Sequence, residues 1–289
     1  MLLLAATSFA ASNATVAPTL ANLQPSSCPA IFVLVSAGRS GSTVIADALE
    51  KLTQSEGATL KTELFGSDSK DMYQLAHPLL KMVGWLRAKC DRAAGLIGFK
   101  LKPYFELDAS GQFADPKWGA VMAWLHDHNA SVVYSHRNPL DTLISGKTDE
   151  MLNKGGIHQA HCQPSDKACI KAHQVFVTLK EGELLKKDLA RSIATQSRLV
   201  AMFRRYGIRY MHVTYEQLFS APEEMQLALW RNMTQFLQPH RTVSVSMSAL
   251  TKARSSTIRV GAPHQEDRVL NYGKVVATLN GTAFQNLLH

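Results

Sequence analysis

The run Ile31-Phe-Val-Leu-Val35, broken at once by Ser36-Ala-Gly-Arg-Ser-Gly-Ser-Thr43, constrains the fold more than any other segment. Five consecutive apolar residues do not alternate between core and solvent. Such a run suits a strand buried on both faces, as in a parallel sheet covered by helices on each side. The glycines that follow let the backbone turn tightly, so that successive N–H groups can face one anion. Residues 43–52 then have helical spacing. The N-terminus of that helix adds partial positive charge at the same place. Strand, glycine-rich turn and helix in this order favour an anion site over an ordinary Gly/Ser turn.

The rest of the chain repeats the alternation. Strands are predicted at 95–101, 130–136 and 210–214. Helices are predicted over 116–128, from Pro139 onward, over 171–206 and 222–237, and over 267–279. Segment 146–170 is rich in Gly, Lys, His and Cys, with little periodicity, and reads as a long surface loop. The expected fold is α/β: a three-layer, P-loop-like arrangement with a central parallel sheet flanked by helices. Residues 1–29 are rich in Ala, Ser, Thr and Pro and read as a leader, either a signal peptide or a flexible tail. No Pro- or Gly-rich linker divides 30–289, which therefore reads as one domain.

Composition narrows the function classes. An apolar content of 46% excludes a mostly disordered chain. No period of about 20–50 residues recurs, which disfavours a solenoid. No apolar run reaches the roughly 18 residues of a spanning helix. The net charge of +8 suits solubility or an anionic ligand. No Lys/Arg run exceeds two residues, and aromatics do not interleave with the basic residues, so no nucleic-acid partner is expected.

Three features bear on compartment. The opening MLLLAATSFAASNA resembles a secretory signal, although it lacks the usual basic start. N-x-S/T sequons stand at Asn13, Asn129, Asn232 and Asn280. The cysteines are Cys28, Cys90, Cys162 and Cys169. Cys162 and Cys169 suit a local disulfide, and Cys28 and Cys90, each shortly before a predicted strand, could also meet. Without a CxxC pair no zinc site is expected. The expected location is the secretory pathway, in the Golgi lumen or outside the cell.

The turn lacks the lysine of a GxxxxGK[ST] nucleotide loop, which argues against a small-molecule kinase. It carries a cation earlier, at Arg39. Arg39-Ser40-Gly41-Ser42-Thr43 resembles the [RK]-[ST]-G-[ST]-[ST] loop of the sulfotransferase superfamily. By that resemblance it would hold the 5′-phosphosulfate side of 3′-phosphoadenosine 5′-phosphosulfate (PAPS). A second signature agrees. Arg137 ends a predicted strand and Ser145 follows eight residues on, as in the family's 3′-phosphate site. Arginine offers a rigid two-pronged donor to phosphate, although a structural salt bridge to Asp141 would explain Arg137 too. Glu63-Leu-Phe65, Gly98-Phe-Lys-Leu101, Val213-Thr-Tyr-Glu-Gln-Leu218 and the segment 270–282 resemble the carbohydrate and bacterial-type members. No counterpart is evident for 146–175.

The resemblance implies sulfuryl transfer from PAPS, with no metal, to a hydroxyl or amine acceptor, most readily a carbohydrate. Such transfer needs a base and a cation near the bridging oxygen. It assigns Glu63 as base and Arg39 as stabiliser, with Arg39, Ser40, Gly41, Ser42, Thr43, Arg137 and Ser145 binding cofactor. Lys100 is a weaker stabiliser candidate and His77 the runner-up base, while His136 could point away. Lys252, Arg254 and Arg259 are candidates to close over the 3′-phosphate. The alternatives are a P-loop small-molecule kinase and a non-catalytic relative that binds nucleotide or glycan.

Overall fold

The computed structural model describes residues 30–36, 41–53, 77–90, 96–101, 107–156, 162, 165–172, 174–238, 244–254 and 264–288. Four parallel strands form the sheet: β1 (Ala30–Ser36), β2 (Leu96–Leu101), β3 (Ser131–His136) and β4 (Tyr210–Thr214). Their order is β2-β1-β3-β4, with Val33 opposite Phe99 on one side and Val132 on the other. The chain leaves β1 for β2 on one flank, then crosses to β3 on the other. A reversal of this kind opens a crevice at the carboxyl ends of the two strands involved, here β1 and β3.

The unalternating run does what its composition requires. Ile31, Val33 and Val35 face one layer, against α2 (Pro78–Cys90), α3 (Pro116–Asp127) and the end of α6 (Gly182–Arg205). Phe32 and Leu34 face the other, against α1 (Ser42–Leu52), α8 (Glu223–Leu237) and α9 (Met247–Arg254). A third cluster joins α4 (Pro139–Lys154), the start of α6 and α10 (Tyr272–Leu279). The architecture is thus the expected α/β sandwich.

Local chemistry sets the helix starts. Asp115 accepts from the Lys117 N–H with Pro116 opening α3, and Asn138 accepts from the Leu140 N–H with Pro139 opening α4. Thr214 and Gln217 form a reciprocal capping box at α7 (Tyr215–Phe219).

Several expectations need correction. Residues 146–154 belong to α4, because Leu140, Ile144 and Leu152 anchor the helix despite its polar middle. A short helix, α5 (Lys167–Ala172), follows, tied by the Cys162–Cys169 disulfide. The long helix starts at Gly182, not 171. Residues 174–181 have no helix, and Val177 pairs in parallel with Val269. That same pairing delays the last helix to Tyr272. Cys90 is also disulfide-bonded, while Cys28 lies outside the described residues. Among the described residues no helix is long and apolar enough to cross a membrane.

Candidate functional site

The residues that follow β1, β3 and β4 converge at the carboxyl edge of the sheet. Gly41 precedes α1 with φ +76°, a left-handed conformation that favours glycine. A Cβ there would stand 2.8 Å from two carbons of the Tyr215 ring. No side chain caps α1, and its first backbone bond runs from the Ile45 N–H to the Gly41 carbonyl. The N–H groups before Ile45 thus have no partner within α1, with Ser42 buried and Thr43 half-buried beside them.

Tyr215 is the first residue of α7, and its ring is shared by two motifs far apart in sequence. Gly41 packs on it, and the Arg137 guanidinium carbon lies 4.5 Å from its centroid. Phe219 supports the ring, with centroids 4.7 Å apart. The neighbouring Glu216 carboxylate accepts from the Asn138 N–H at 3.0 Å, fixing the end of β3 against the start of α7.

Arg137 is 9% exposed, and its Nε has no hydrogen-bond partner among the described residues. Its Nη2 lies 3.8 Å from Asp141 Oδ2, so the expected structural pair does form, though beyond hydrogen-bond length. Asp141 is shared. Arg268 Nη1 lies 3.6 Å from its other oxygen, and both partners are buried. Two guanidiniums, from α4's entry and from the C-terminal segment, thus meet at one buried carboxylate.

The C-terminal segment delivers Arg268. The Val177 N–H donates to the Arg268 carbonyl, and the Leu270 N–H donates to the Val177 carbonyl, both at 2.9 Å. The Leu287 carbonyl accepts from Asn138 Nδ2 and from buried Gln265 Nε2, each at 3.0 Å. The Asn271 amide clamps both backbone groups of Leu179. Ser145, half-buried on α4, stands about 12 Å along the chain direction from Arg137 at helical rise.

The other expected residues fall as follows. Arg39, Ser40, Glu63 and Arg259, and the side chain of Arg254, lie outside the described residues. Lys252 is exposed on α9, and His77 is exposed just before α2. Lys100 is buried on β2 opposite Leu34, not on the surface. His136 is half-buried, with Nδ1 3.3 Å from His212 Nε2. Burial, and secondarily His212, pulls its pKa down to about 4. Burial also lowers His212. Sequence reasoning missed Tyr215 as a site residue and missed Arg268. A tyrosine right after a strand end was visible, but nothing local marks Arg268. Among the described residues no group of three or more His, Cys, Asp or Glu side chains could hold a metal ion.

No family model and no curated protein matches the chain. Among solved structures, the crystal structure of mouse sulfotransferase SULT7A1 complexed with PAP matches at 15% sequence identity. That match covers 84% of this chain and 70% of that one, with a TM-score of 0.41.

Proposed function

We propose that the chain is a sulfotransferase that moves a sulfuryl group from PAPS to a hydroxylated acceptor, with carbohydrate as the acceptor class. The observation that carries this reading is Arg137. It is a buried guanidinium with an unpartnered Nε, at the carboxyl end of β3, beside Arg268. A buried donor without a partner is costly, and a phosphate oxygen would satisfy it. The crevice between β1 and β3 is also where an open parallel sheet takes its ligand.

The residues present fit such a substrate. Arg137 offers a forked donor to a 3′-phosphate, with Arg268 across Asp141 and Ser145 further along α4. Gly41 and the uncapped start of α1 suit the 5′ end. PAPS supplies the sulfuryl group. As an acceptor oxygen bonds to sulfur, the bond from sulfur to the bridging phosphate oxygen breaks. The acceptor proton goes to a base, and 3′-phosphoadenosine 5′-phosphate (PAP) leaves with added negative charge. In this assignment Glu63 is the base and Arg39 meets the leaving oxygen, both from the motif resemblance. The leader, the sequons and the Cys162–Cys169 disulfide support a place in the secretory pathway.

The test is label transfer from ³⁵S-PAPS and, separately, γ-³²P-ATP to polysaccharide, glycolipid, tyrosyl peptide and small alcohols. Sulfate label on an acceptor is expected. Phosphate label would replace this reading with a kinase, and PAP binding without turnover on any acceptor would reduce it to a nucleotide-binding relative.

A further inference from the structure

A cavity of about 290 Å³ lies between α4, the segment before α6 and the first turns of α6. It is near the small end of the range for small-molecule pockets, about 300–1,000 Å³. Leu143, Leu179 and Leu185 wall it, and Gly146 forms part of one side. Gly146 is inside a helix, where glycine is unfavourable relative to alanine. A Cβ built on it would meet nothing within 4 Å. The glycine leaves space there that neighbouring side chains do not fill.

The rim decides what kind of molecule suits this space. Lys180 Nζ lies 2.9 Å from Asp188 Oδ2, and both residues line the cavity. Lys147, on the other side, lies 2.6 Å from Glu150 Oε2. Each lysine at the rim already has a carboxylate partner, Asp188 for Lys180 and, for Lys147, a Glu150 that it shares with Lys154. A charged ligand would have to displace one of these pairs or sit unpaired against the leucines. An uncharged apolar ligand does neither, and it gains by leaving water. Apolar exposure continues along the same helical rows. Met151, four residues beyond Lys147, and Leu184, four before Asp188, are both exposed.

We propose that this cavity is a binding site for a small uncharged apolar molecule, of aryl or short alkyl type, separate from the anion site and independent of the sulfotransferase reading. Three probes of one size and different charge test it: 4-fluorotoluene, 4-fluorobenzoate and 4-fluorobenzylammonium, each titrated into the full chain and followed by ¹⁹F NMR. The proposal expects saturable binding of 4-fluorotoluene, and at least tenfold weaker binding of both ions. Gly146→Leu should fill the space and weaken 4-fluorotoluene at least tenfold while leaving PAP affinity unchanged. The exposed-rim variant Lys147→Gln should leave 4-fluorotoluene binding within twofold and so controls for folding. No saturable binding up to the solubility limit, equal binding of an ion, or wild-type affinity in Gly146→Leu would each overturn the site.

Discussion

Replacing Gly41 with alanine tests the junction on which both candidate phosphate motifs meet. The residue sits at φ +76°, where an L side chain costs about 1–2 kcal/mol. Its Cβ would also stand 2.8 Å from two Tyr215 ring carbons, so the ring must move. The ring has little room, held by Phe219 on one side and capped by Arg137. Overpacking of this kind costs about 1–3 kcal/mol. Gly41→Ala should therefore lower stability by about 2–5 kcal/mol, read from urea unfolding by circular dichroism. Because the displaced ring carries Arg137, PAP affinity should fall as well, by roughly tenfold for about 1.4 kcal/mol. A double-mutant cycle separates the two contributions. With Tyr215→Ala present the clash disappears and only the backbone penalty of about 1–2 kcal/mol stays, leaving a coupling of about 1–3 kcal/mol. Equal cost of Gly41→Ala in both backgrounds would show that the Tyr215 ring does not set the glycine requirement.

Arg268→Ala should destabilise by about 1–3 kcal/mol, since Asp141 keeps Arg137 but loses its second guanidinium, and PAP should bind roughly tenfold more weakly. Acid should weaken the fold through His136. Its folded pKa, near 4, lies below the ordinary 6.5, so the unfolded chain binds more protons between those values. Stability from this ring is complete above about pH 6.5 and is lost as pH falls toward 4. The loss is about 2 kcal/mol, reduced from a full ~3 for partial exposure. Urea midpoints from pH 7 to pH 4 check it, with His136→Phe expected to flatten that part of the profile. Glu63→Gln should keep PAP affinity and lose most turnover with an acceptor found in the label-transfer panel; near-normal turnover would remove Glu63 as base.

The strands were legible because apolar runs at Ile31–Val35 and Val132–Tyr134 are buried on both faces and need no tertiary context to be recognised. The place of Arg137 was legible for a related reason: it follows its strand directly. The middle of α4 was not, because Gly146, Lys147, Thr148 and Asp149 have no apolar period, and the helix draws its stability from residues at its two ends. The start of α6 was misplaced because helical spacing alone does not reveal that Val177 pairs with Val269, 92 residues away. Arg268 was invisible for the same reason. Its meaning comes from Asp141, 127 residues earlier, and only the packed C-terminal segment brings the two together.

The proposed function requires Arg137 to stand in a buried site for the 3′-phosphate of an adenosine nucleotide. Calorimetric titration with PAP and with adenosine 5′-phosphate, which lacks the 3′-phosphate, isolates that group. The wild-type chain should prefer PAP by roughly a hundredfold or more, a difference of about 2.7 kcal/mol. Arg137→Ala should remove most of that preference while binding adenosine 5′-phosphate nearly as before. Equal affinity of the wild-type chain for the two nucleotides, or an unchanged preference in Arg137→Ala, would contradict that requirement.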